Sequence, residues 1–164
     1  MAGSQPYIYQ GQEFSLQRDK NRFVLPTLFR GTVKESSAGQ TILCLAAHDR
    51  WPCLIGFGLS RKEEIPQILE REQVLYGKEF DYEKRSFDLY NYTPIPFDNS
   101  GRFVLPDHLA AAANIDKEIY FQGAGQFLTL WDPEELAGAG SEFAAATRVC
   151  KSLAAKERAK AKRS

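Results

Sequence analysis

Residues 98–106 read Asp98-Asn99-Ser100-Gly101-Arg102-Phe103-Val104-Leu105-Pro106, and residues 18–26 read Arg18-Asp19-Lys20-Asn21-Arg22-Phe23-Val24-Leu25-Pro26. The last five positions are identical, at an offset of 80 residues. A five-residue identity at the same point of two similar contexts marks an internal repeat, so the chain reads as two copies of one unit. In the second copy Asp98 to Gly101 is turn chemistry: an Asx side chain that bonds the backbone ahead of it, then a glycine that supplies positive φ at no steric cost. Phe103-Val104-Leu105 is a short aromatic and β-branched strand, and Pro106 suits a helix start, where its missing N–H is no loss. The unit is therefore turn, strand, helix, with Arg102 at the turn.

The first copy departs before the shared residues. Arg18 stands where the second has Asp98, and Asn21 where it has Gly101. Asparagine tolerates the left-handed region, so the turn survives, and Asp19 is expected to take over the capping of Asp98. Arg18, Lys20 and Arg22 then place three cations within five residues.

Working outward, Phe14 and Leu16 alternate with polar neighbours, the period of a half-buried strand. Thr27 to Arg30 reads as a short helix ended by Gly31. Residues 41–45 and 53–57 read as two strands, with counterparts at 117–121 and 127–131. There the offset falls to about 76 and 74, so the length differences lie in loops. Ser60 is a candidate cap for a long helix ending near Gly77, and a second helix covers about Phe80 to Tyr90. Two prolines in Thr93-Pro94-Ile95-Pro96-Phe97 predict an edge strand. Helices are expected from Pro106 to Asn114 and from Asp132, which caps, with Pro133 at the first helical position. From Glu142 an alanine-rich helix carries Phe143, Val149 and Leu153; its last turns lack apolar positions and are expected to fray.

The chain has 164 residues and 21 bases against 21 acids. Residues 142–164 hold seven of the bases and two of the acids, which leaves 14 bases against 19 acids in the body. Global charge thus gives no argument for nucleic-acid binding; a local cluster has to. No apolar run approaches the roughly 20 residues a membrane span needs, and Met1 to Gln5 lacks a signal pattern, which predicts a cytoplasmic protein.

Cys44, Cys53 and Cys150 fit a reducing compartment better than a disulfide framework. Cys44, His48 and Cys53 offer three metal ligands without a fourth, and the two cysteines fall in strand patterns, so buried thiols are favoured over zinc. Asp132, Glu134 and Glu135 are sufficiently explained by capping and the helix dipole. His48 and His108 have no nearby nucleophile pattern and read as turn or surface residues. Gly123-Ala124-Gly125 reads as a hairpin turn rather than a phosphate loop. No enzyme, metal or cofactor is expected. Taken alone, one Arg-bearing turn is more often scaffold than site. Three cations crowded on a turn of an otherwise acidic body favour an anionic partner, because arginine holds phosphate and reads guanine in the major groove.

The paired turn units, the Gly125-Gln126-Phe127-Leu128-Thr129-Leu130-Trp131-Asp132-Pro133 stretch and Pro52-Cys53-Leu54 resemble the MraZ family over about residues 11–136. The resemblance implies a β-rich α+β fold of two tandem, pseudo-symmetric AbrB-like swapped-hairpin units with short flanking helices and a C-terminal helix. The units would be residues 11–58 and 92–137, with a helical connector at 59–91 and a basic helix or tail at 141–164. It implies a nucleoid-associated transcriptional regulator of the bacterial division and cell-wall gene cluster, acting as a homo-oligomeric ring on direct repeats of promoter DNA. DNA contacts fall to Arg18, Lys20, Arg22 and Arg102, and turn shaping to Asp19, Asn21, Asp98 and Gly101, with the first turn the stronger phosphate contact. The alternative is an AbrB-like, antitoxin-like module that titrates a protein partner.

Overall fold

The computed structural model describes residues 7–163; the expectation about Met1 to Gln5 lies outside them. Strands β1 (Gln12–Leu16), β3 (Ile42–Ala47), β4 (Leu54–Phe57), β5 (Thr93–Pro96), β7 (Glu118–Gly123) and β8 (Leu128–Trp131) form one antiparallel sheet in the order β1-β7-β8-β4-β3-β5. Strands β2 (Arg22–Val24) and β6 (Arg102–Val104) form a separate two-stranded ribbon.

The order shows how the repeat is used. Among the strands of the described residues, only the β3–β4 and β7–β8 pairs are hairpins within one copy. Every other pair joins the copies: β1 with β7, β5 with β3, β4 with β8 and β2 with β6. The strand that enters each Arg-bearing turn thus lies on the other copy's hairpin, and the fold is the expected β-rich α+β arrangement of interleaved hairpins. The proline-containing β5 is an edge strand, as its missing N–H groups require.

One core lies between the sheet and the ribbon. It buries Phe23, Leu25 and Phe29 from the first copy with Phe103, Leu105 and Leu109 from the second. The shared Phe and Leu are shared because both copies fill one space. A second core, on the opposite face, gathers Phe14, Tyr120, Trp131 and Leu136 under the C-terminal helix α6 (Ala144–Arg163).

Four local expectations need correction. Helix α1 (Thr27–Glu35) runs through Gly31. A glycine in a helix interior costs about 1 kcal/mol, whereas burying Phe29 and Val33 on one face recovers roughly 1.5–3 kcal/mol each. The helix ends instead at Glu35, and the turn that follows it carries Ala38 and Gly39, both at positive φ. Strand β1 is covered on both sides, because Ser15 turns to the ribbon, where its hydroxyl oxygen accepts from the Val24 amide (3.0 Å), while α6 packs over Phe14. Ser60 makes no side-chain cap for α2 (Arg61–Tyr76); the first amides bond the carbonyls of Gly58, Leu59 and Ser60. Helix α6 continues to Arg163 rather than fraying. Arg158 clamps Glu118 through two 2.6 Å bonds, and Lys160, Lys162 and Arg163 complement the negative end of the helix dipole.

Helices α2 and α3 (Tyr82–Leu89), joined by a short 3-10 turn at Gly77–Glu79, connect the copies. Helix α4 (Asp107–Ala112) is the second copy's counterpart of α1, and α5 (Pro133–Ala137) follows β8. Among the described residues no helix is long and apolar enough to cross a membrane.

Candidate nucleic-acid interface

The β2–β6 ribbon sets the geometry. Its register places Arg22 opposite Val104, Phe23 opposite Phe103 and Val24 opposite Arg102. With a side-chain period of two, Phe23 and Phe103 point inward, ring centroids 6.3 Å apart and almost fully buried, and both arginines point outward. Diagonal neighbours of such a pair lie about 7–8 Å apart, and two unit charges at that distance repel by about 0.6 kcal/mol in water. The repulsion is tolerable but does nothing for the fold. Both arginines line one open groove of about 350 Å³, together with Pro96, Asp98, Phe103 and Val104.

The two turns are built differently. In the second, Asp98 Oδ1 accepts from the amides of Ser100 and Arg102, both at 2.9 Å, and Oδ2 accepts from Arg102 Nε at 2.7 Å. The Arg102 amide above all, then its guanidinium and the Ser100 amide, hold the Asp98 carboxyl below the ordinary carboxylate range. Gly101 takes φ +85°, and its carbonyl accepts from the Leu25 amide at 2.7 Å.

In the first turn Asn21 fills the glycine position at φ +58°, and its carbonyl accepts from the Leu105 amide, also at 2.7 Å. The pseudo-symmetry therefore extends to single bonds across the ribbon. The carboxylate of Asp98 has no single replacement. Asp19 Oδ1 caps only the Lys20 amide, Gln17 Oε1 takes the Asn21 amide, and the Arg22 amide goes to the Asp19 carbonyl. Arg18, Lys20 and Arg22 are exposed, and among the described residues none of their side chains has a partner.

Three contributors escaped the sequence reading. Gln17 substitutes for a cap, Asn21 Nδ2 donates to Asp107 across the ribbon at 2.6 Å, and Arg30 Nε donates to the Leu25 carbonyl beside Gly101 at 2.6 Å. The Asn21–Asp107 pair spans 86 positions, a distance at which no local pattern signals contact.

The other candidates stay structural. Cys44 and His48 are four residues apart on and beyond β3, about 13 Å along a strand, so Cys44 cannot join His48 and Cys53 around one ion. His48 Nδ1 accepts from the Arg50 and Trp51 amides and serves the loop. Burial pushes Cys44 up to about 11 and Cys53 to about 12, as expected of inert thiols. Asp132 caps α5 through the Glu134 amide at 2.9 Å. Ala124 donates its amide to the Phe127 carbonyl in the β7–β8 turn.

A transcriptional regulator MraZ of Tropheryma whipplei is 34% identical over 116 residues, covering 71% of this chain and 75% of that protein. This chain belongs to the MraZ family. Other MraZ relatives agree: the regulator of Pseudomonas savastanoi pv. phaseolicola is 32% identical over 70% of the chain and 74% of its own length. That of Methylococcus capsulatus is 29% identical over 70% and 72%. The family model described as "MraZ protein, putative antitoxin-like" matches residues 90–158, which include Arg102 and most of α6. MraZ relatives are named as transcriptional regulators, not as enzymes.

Proposed function

We propose that this chain binds promoter DNA sequence-specifically, as a transcriptional regulator of the bacterial division and cell-wall gene cluster, in the cytoplasm at the nucleoid. One observation carries the reading: interleaving the two copies puts Arg22 and Arg102 on the single exposed face of a two-stranded ribbon. A β-ribbon is one of the two elements that the major groove of DNA admits. Arg18 and Lys20, exposed and without side-chain partners among the described residues, extend the cationic face beyond the ribbon.

One chain supplies few phosphate contacts, so affinity comes from repetition: a homo-oligomeric ring on direct repeats, each chain engaging one repeat. Exposed Val74, Leu75, Tyr76 and Phe87 on the α2–α3 connector supply an apolar surface for that assembly. The same surface favours the second reading, a module that titrates a protein partner. The two differ in salt response: phosphate binding weakens steeply as salt rises, and an apolar protein interface does not.

The test is a gel shift with DNA from upstream of the protein's own gene, repeated across salt concentrations. Arg22→Ala combined with Arg102→Ala is expected to abolish the shift with an unchanged circular dichroism spectrum. Retained binding by that variant would sink the proposal.

A further inference from the structure

We infer that the two turns divide the work on DNA: Arg102, clamped by Asp98, reads bases, whereas Arg18, Lys20 and Arg22 grip the phosphate backbone. The division rests on the DNA-binding reading above and goes beyond it: the extra cations of the first turn make it the stronger phosphate contact, and the geometry adds that base reading falls to the second.

The difference lies in what surrounds each ribbon arginine. Arg102 is bound twice by one carboxylate, through its amide at 2.9 Å and its Nε at 2.7 Å. Those bonds restrain the side chain and occupy Nε, leaving the two terminal nitrogens of an exposed guanidinium as a fork for a ligand. That fork matches the O6 and N7 acceptors of guanine, and a side chain already fixed loses less freedom on engaging them. Asp98 is thus a positioning residue for recognition as well as the shaper of its turn.

Arg22 has the same backbone placement on β2 and none of this support. The position of Asp98 is held by Arg18, a like charge, and Asp19 turns its Oδ1 to the Lys20 amide. Arg18, Lys20 and Arg22 are exposed and, among the described residues, without side-chain partners. Exposed cations without a fixed partner suit phosphates, which form a regular array and carry no sequence information. The Asn21–Asp107 bond holds the first turn against the second copy's helix, so the two arms keep a fixed spacing while differing in rigidity.

The experiment uses the full chain, a duplex from upstream of its own gene and a duplex of the same composition in scrambled order, titrated across salt. Arg18→Gln with Lys20→Gln is expected to weaken both duplexes by the same factor and to lower the log–log salt slope by about 2. Arg102→Lys is expected to cut the promoter-to-scrambled ratio about tenfold or more, and Asp98→Asn to cut it in the same direction. Thermal melts of each variant confirm folding, and Arg102→Lys, a change at an exposed side chain, carries the test if Asp98→Asn disturbs the turn. An Arg22→Lys variant that lowers the ratio as deeply as Arg102→Lys refutes the division. So does a loss of ratio on removing Arg18 and Lys20. Equal affinity of the unaltered chain for both duplexes would remove instead the sequence-specific reading beneath it.

Discussion

Substituting Gly101 by alanine tests whether the turn, rather than the arginine alone, maintains the interface. Gly101 sits at φ +85°, and a Cβ built there meets Leu25 O at 2.4 Å and Arg30 Nε at 2.3 Å. The left-handed conformation costs a residue with a Cβ about 1–2 kcal/mol. The clash adds more, because the obstructing atom is a backbone carbonyl that cannot swing aside. Relief requires the turn to retreat from Leu25, which breaks or stretches the Leu25 amide bond to the Gly101 carbonyl and the Arg30 bond to the Leu25 carbonyl. The first is a neutral hydrogen bond worth about 1 kcal/mol and the second, from a guanidinium, about 1.5–3 kcal/mol. Gly101→Ala is therefore expected to destabilise the chain by about 3.5–6 kcal/mol, a drop of roughly 10–20 °C in Tm at this size. Asn21→Gly, the symmetry-related change, relieves positive φ and loses only the exposed Asp107 bond, so it should stay within about 1 kcal/mol of the parent. Urea and thermal denaturation followed by circular dichroism give both values. A Gly101→Ala variant within 1 kcal/mol of the parent would show that the crowding at Leu25 is not a real constraint.

Two further expectations concern other parts of the molecule. Burial raises the thiols of Cys44 and Cys150 to about 11 and of Cys53 to about 12, while an unfolded cysteine ionises near pH 8.5, at about its ordinary value. Above that pH the unfolded chain has lost protons that the folded chain keeps, so stability is full below about pH 8.5 and falls as pH rises toward 11. Urea midpoints at pH 7.5 and 10 measure it, and equal midpoints would contradict it. Val74 and Leu75 are 87% and 73% exposed, so Val74→Asp with Leu75→Asp should leave the fold within about 0.5 kcal/mol. For the oligomer proposed above, the pair should shift the species to smaller ones in sedimentation velocity; an unchanged distribution would exclude the connector as the self-association surface.

The repeat and its turns were legible because their causes are local. Phe23 and Phe103, and Leu25 and Leu105, recur since both copies fill one core, and Asp98 with Gly101 writes its turn within four residues. Gly31 misled because its local meaning is a stop, while Phe29 and Val33 on one buried face carry the helix past it. The docking of α6 was only half legible. Phe143, Val149 and Leu153 do pack there, partly buried, but the fully buried positions of the helix are Cys150 and Ala154, whose side chains are small. The partners of Asn21 and Arg30, like the second covering of β1, come from remote segments and leave no mark on the residues beside them.

The crossed pairing of the sheet has a consequence for how the chain assembles itself. The ribbon and the β1–β7, β3–β5 and β4–β8 pairs exist only when both copies are present, so neither half can close its own core. The α2–α3 connector is then a tether that converts a meeting of two half-proteins into a unimolecular step at an effective concentration in the millimolar range. Severed there, the chain would become two fragments that fold only on finding each other. Joined there, it carries two unlike arms on one frame in a fixed ratio, which two separately made copies of a single unit would not supply.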